Sequence, residues 1–115
     1  SFDVVSLQAL TGAPDIRFDL VTAESSSRRK GGKAATEIMV ELDGGIAGNP
    51  AQRRATLVFD DGTAALTGVS VVLLLGAVLG LDGQAPMPPG LYMPELLARP
   101  EAFVTALVEA GAQVR

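Results

Sequence analysis

The spacing of apolar and polar positions changes several times along this chain, and each change marks a predicted element. Asp3 to Leu10 has strand composition and ends at the turn cluster Thr11-Gly12-Ala13-Pro14. Ile16 to Val21 then alternates, with Ile16, Phe18 and Leu20 on one face and Arg17 and Asp19 on the other. The two segments predict an antiparallel hairpin. Glu24 to Lys33 is polar and rich in Ser and Gly, the composition of an exposed, mobile loop. Alternation returns over Ala35 to Leu42, which places Ile38, Val40 and Leu42 inward. Asp43-Gly44-Gly45 is expected to break that strand, with Asn49-Pro50 continuing the turn. Arg54 to Phe59 supplies a fourth strand, closed by Asp60-Asp61-Gly62.

The pattern becomes helical after that. Ala64 to Leu81 is too long for a strand, carries no charge and is apolar on every side. Such a helix is expected to lie buried between a sheet and another layer. Pro86, Pro88 and Pro89 forbid regular structure in the connector that follows. A last helix runs from Pro100 to Ala110, with Pro at its first position and Gly111 just past its end. Its stripe is Phe103, Leu107 and Ala110, flanked by Val104 and Val108. The predicted fold is α+β: a mostly antiparallel sheet of about four strands, with a long buried helix and a short C-terminal helix on one face.

A length of 115 residues, 48% of them hydrophobic, allows one domain over residues 1–115 and excludes two. With no Trp, one Tyr and four Phe, its core must be aliphatic. A net charge of −4 argues against a nucleic-acid partner. The absence of Cys and His removes disulfides, thiol nucleophiles, Ser-His-Asp chemistry and thiolate or imidazole metal sites. The carboxylates form no calcium-loop pattern, so no metal is expected. Ser1-Phe2-Asp3 opens no signal peptide, which points to the cytoplasm.

Several local patterns compete for a function. Ala64 to Leu81 just reaches the length of a membrane span, but acidic flanks (Asp60, Asp61, Asp82) and the lack of Lys or Arg anchors favour a core helix and no membrane. Gly76 and Gly80 have the small-residue spacing of close helix contacts, with the sheet or with a partner subunit. Asp43 to Gly48 lacks the first glycine of a dinucleotide fingerprint and reads as a hairpin loop, so no cofactor is expected to bind this chain. Arg28 and Arg29 in the basic loop are candidates for a carboxylate, because guanidinium groups bind carboxylates bidentately. Tyr92 is a candidate proton donor, although a buried ring with a satisfied hydroxyl is the commoner role. No set of residues reads as a catalytic centre.

The order of short motifs in the second half adds a resemblance. Thr67-Gly68 opens the apolar helix Val69 to Leu81, Gly90 precedes Pro94-Glu95, and Phe103 to Gly111 closes the segment. This order resembles the C-terminal domain of saccharopine-dehydrogenase-like oxidoreductases, and Asp3 to Val21 looks like the first strands of that domain. Glu24 to Gly62 does not align with the family pattern, and the Rossmann half is absent. The resemblance implies an upstream Rossmann domain holding NAD or NADP. It also implies an amino-acid-like substrate altered at a carbon–nitrogen bond, a homodimer, and no catalysis by this chain alone. By the same resemblance Thr67 and Gly68 line the interdomain cleft. The other reading is a free-standing α+β dimerisation or interaction module without catalysis, with a ligand-binding or membrane-associated domain as a further class.

Overall fold

A computed structural model describes residues 2–81 and 83–115; Asp82, one of the acidic flanks named above, lies outside the described residues. The helices are α1 (Phe2–Thr11), α2 (Ser26–Arg29), α3 (Gly62–Leu79), α4 (Pro94–Leu97) and α5 (Pro100–Glu109), and the strands are β1 (Thr36–Ile46), β2 (Asn49–Phe59) and β3 (Gln113–Val114). The fold is α+β, with an antiparallel sheet in the order β1-β2-β3.

The sheet is mainly one long hairpin. β1 and β2 stay in register from Thr36↔Phe59 to Ile46↔Asn49. The strand does not break at Asp43-Gly44-Gly45, as composition suggests, because the turn forms two residues later at Ala47-Gly48. Both of these residues have positive φ, 52° and 81°, as a two-residue type I′ turn requires. Directly opposed residues share a face. One face therefore carries Ile38, Val40, Leu42 and Ile46 with Arg53, Ala55, Leu57 and Phe59. The other carries Glu37, Glu41 and Asp43 with Gln52 and Arg54, including an Arg54–Glu41 ion pair and a 2.8 Å hydrogen bond from Gln52 to Asp43. Val58, fully enclosed, sits at the base of that second face.

Two expected strands are absent. Asp3 to Leu10 is helical rather than extended: Leu7, Gln8, Ala9 and Leu10 are good helix formers. The turn cluster acts as its C-cap, with Gly12 at φ 68° donating its N–H to Gln8 O at 2.8 Å. Ile16 to Val21 pairs with no strand. The alternation survives in the 2.7 Å Arg17–Asp19 ion pair, while Leu20 and Val21 face solvent. A four-residue helix, α2, occupies the expected loop, capped by the Ser25 side chain accepting from Arg28 N–H. The sheet thus has three strands, not about four, and the third is the short β3. Thr56 and Arg115 exchange reciprocal backbone hydrogen bonds of 2.9 and 2.8 Å that tie β3 to β2.

The core sits at the hairpin base. Phe59, Leu66, Leu107 and Ala112 form it, with Leu57, Ala65, Val69, Leu73 and Phe103 packed around them. α3 lies on the base of the apolar sheet face, and α5 closes the far side. α5 follows its predicted bounds closely, and Leu107 is buried as its stripe requires; Ala110 is exposed.

The long helix is not buried. Only Leu66 of α3 is enclosed, and Val71, Val72, Leu75 and Leu79 stand 48–67% exposed on the outer face. The distal hairpin is equally bare, with Ile38, Val40, Leu42 and Ile46 49–60% exposed. The accessible surface is 8849 Å², against about 5,900 Å² for a compact chain of 11.8 kDa. The radius of gyration is 16.2 Å, where about 13 Å is usual for this length.

Candidate functional site

The candidate residues fall into two groups at opposite ends of α3. Arg28 and Arg29 lie on α2, near the start of that helix. Thr36 and Thr63 hydroxyls share a 2.7 Å hydrogen bond, and Lys33 pairs with Asp61 at 3.6 Å, so the basic loop is fastened to the β2–α3 junction. Ser25 organises the loop: its hydroxyl accepts from Arg28 N–H at 3.3 Å and from Ala35 N–H at 3.0 Å. The N-terminus of α2 is already occupied by a carboxylate, since Glu37 accepts the Ser26 N–H at 2.7 Å. The Ser26 hydroxyl is enclosed beside it without a well-aligned hydrogen bond. The Ser26 hydroxyl and amide, then Arg115 and Arg29 through their charge, hold the Glu37 carboxyl below the usual carboxylate range. Arg28 and Arg29 remain exposed and make no ion pair among the described residues.

Thr67 and Gly68 lie early in α3 on its exposed side, where a Cβ built on Gly68 would meet nothing within 4 Å. They share the apolar outer face of the helix with Val71, Val72, Leu75 and Leu79. The surface offers a shallow patch with no charged group on α3 itself.

Tyr92 belongs to the far end. It lines a shallow groove of about 400 Å³ with Val78, Met87, Pro88, Leu91 and Leu97, about 16 Å along the helix from Thr67. Its hydroxyl donates to Pro88 O at 2.6 Å, the satisfied arrangement of a structural tyrosine. Met87 N–H donates to Val78 O at 2.9 Å and fixes the connector against α3. The structure therefore gathers Arg28 and Arg29 near the helix start, places Thr67 and Gly68 beyond them, and leaves Tyr92 apart.

The two glycines of the helix differ. Gly80 is the C-cap at φ 72°, and an added Cβ would lie 2.6 Å from Gln84 O, so its own chain requires it. Gly76 has open space around it. Asp43 to Gly48 closes the hairpin rather than leading from a strand into a helix. The uncovered apolar face of the distal hairpin is a feature that sequence reasoning misses, although alternation places Ile38, Val40 and Leu42 together; a pattern of inward residues does not say how far the cover extends. Among the described residues no cluster of acidic groups could hold a metal ion. Comparison with protein-family models, with curated proteins and with solved structures finds nothing that matches this chain.

Proposed function

We propose that this chain is the C-terminal substrate-covering and dimerisation domain of a cytoplasmic, NAD(P)-dependent, saccharopine-dehydrogenase-like oxidoreductase, inactive by itself. The observation that carries the reading is the uncovered outer face of α3, with Thr67 and Gly68 near its start. A helix without a charge from Gly62 to Leu79 belongs between two layers, and the described chain supplies only one. The missing layer is a neighbouring domain or subunit, and the burial expected for α3 is completed there. In this reading Thr67 and Gly68 face the interdomain cleft. Arg28 and Arg29, charged and without an ion pair among the described residues, take the carboxylate of an amino-acid-like substrate. A nicotinamide held by an upstream Rossmann domain supplies the hydride acceptor or donor.

The helix is also long and apolar enough to cross a membrane. A span is disfavoured because α3 begins three residues after the buried Phe59 and gives Leu66, Val69 and Leu73 to the same core. Calorimetric titration of this chain with NADH and NADPH tests the reading, with no binding of either expected; micromolar binding refutes it. The reading also requires a G-x-G-x-x-G strand–turn–helix unit upstream in the reading frame. The bare hairpin gives the free-standing dimerisation module its support, and an upstream frame without that unit would select it.

A further inference from the structure

Two uncovered apolar surfaces complement each other in kind. One is the outer face of the second half of α3, lined by Val71, Val72, Leu75 and Leu79 over about 12 Å. The other is the distal face of the β1–β2 hairpin, where Ile38 to Ile46 spans about 27 Å and Arg53, opposite Leu42, is the one charged residue. One is a helix lacking a second sheet, and the other a sheet lacking a helix. Within one copy α3 already covers the base of the same sheet face through Leu57 and Phe59, so it cannot also cover the distal part.

We propose that the partner of both surfaces is a second copy of this chain, in a two-fold pair where each α3 is covered by the distal hairpin of the other copy. The result is a three-layer sandwich: one sheet, a middle layer holding both α3 helices, and the second sheet. Every α3 then has its own hairpin base below and the partner's hairpin tip above, which accounts for a helix apolar on all sides. A closed two-fold pair satisfies both surfaces at once and leaves neither free.

The area allows such a pair: the whole chain, its N-terminal segment and connector included, exposes about 2,900 Å² more than a compact monomer of its mass, and permanent pairs bury about 1,000–2,500 Å² per chain. Charge selects the face over the edge. Antiparallel pairing of two β1 edges that keeps the apolar faces aligned would gather Glu37, Glu41 and Asp43 of both copies on one continuous sheet face. Those acids lie on the polar sheet face, where Glu41 is already paired with Arg54, and stacking through the apolar face leaves them in water.

This pairing rests on the dimer part of the reading above and not on its chemistry. A monomer would overturn it while leaving the nicotinamide test untouched. The experiment is light scattering after size exclusion on the wild-type chain, V40D, V72K and an equimolar mixture of the two variants. Both positions are at least half exposed, so far-UV circular dichroism should match wild type. The expected masses are twice 11.8 kDa for wild type, the single-chain mass for each variant alone, and recovery of the pair in the mixture. Recovery follows because a mixed pair sets the introduced lysine against the introduced aspartate at one contact and keeps the other contact native. A monomeric wild type, or a dimer that either variant leaves intact, overturns the proposal. Should a charged variant fail to fold, V40C and V72C in this cysteine-free chain replace it. A bismaleimide should then link the two variants in the mixture and neither alone; a mixture that does not link overturns the pairing.

Discussion

Phe59 is the residue on which the observed core most depends. It ends β2, is 3% exposed and meets the side chains of α3, α5 and the segment before β3. Phe59→Ala removes the ring from all of them. Transfer of a buried Phe side chain contributes about 1.5–3 kcal/mol, and the cavity left behind raises the expected loss to about 3–5 kcal/mol. A domain of this length is stable by roughly 6–17 kcal/mol, and so small a core belongs at the lower end. With a urea slope of about 2 kcal/mol per molar, the midpoint should fall by about 1.5–2.5 M. The assay is urea unfolding followed by far-UV circular dichroism, because the chain has no Trp. Dilute protein is used so that association does not contribute, and Leu75→Ala on the 51%-exposed outer face of α3 is the control. The control should lose no more than about 1 kcal/mol. A midpoint drop below about 0.5 M for Phe59→Ala, or equal drops for both variants, would refute the placement of the core at the hairpin base.

Glu37 has a folded-state pKa below its unfolded one, so its stabilisation is present above the ordinary glutamate value of about 4.3 and is lost as pH falls through the lowered folded value. Glu37→Gln should therefore flatten the acid limb of a melting-temperature profile and leave its alkaline side unchanged. Gly80→Ala places a methyl group 2.6 Å from Gln84 O at φ 72° and should cost more than about 1 kcal/mol in thermal unfolding. Gly76→Ala meets nothing within 4 Å and should stabilise the separated chain by about 0.5–1 kcal/mol. Ala47→Gly relieves a non-glycine residue held at φ 52° and should raise the urea midpoint; a lowered midpoint would contradict the type I′ turn.

The elements legible in the sequence are those whose pattern matches contacts made inside the chain. Ile38 and Val40 alternate opposite Leu57 and Ala55, and the face each of these residues takes follows from that alternation. Pro100 and Gly111 bracket α5 because capping is a local property. Asp3 to Leu10 misleads for a physical reason: Val4 and Val5 suit a strand, Leu7 to Leu10 suit a helix, and none of Val4 to Leu10 joins the buried core that could decide between them. Asp43-Gly44-Gly45 looks like a break, but the sheet tolerates glycine on an exposed hairpin and the turn moves to Ala47-Gly48. For α3 the composition marks a surface suited to being covered, yet composition cannot say which chain supplies the cover. The candidate site is less legible still. Arg28 and Arg29 stand out by charge and Tyr92 by rarity, and neither property carries information about distance.

The closure of the core by the last turn of the chain has a consequence for biosynthesis. Phe59 and Leu66 wait for Leu107 and Ala112, which are made last among the residues of the core. At about 5–20 residues per second, a ribosome needs roughly 2–9 s to travel from Leu66 to Ala112, and the exit tunnel delays their arrival further. Through that interval the nascent chain presents an uncharged helix and an apolar hairpin face with nothing to close over them. Transiently exposed apolar surface of this kind is where aggregation begins and chaperones act, so the newborn domain folds in competition with both until Ala112 arrives.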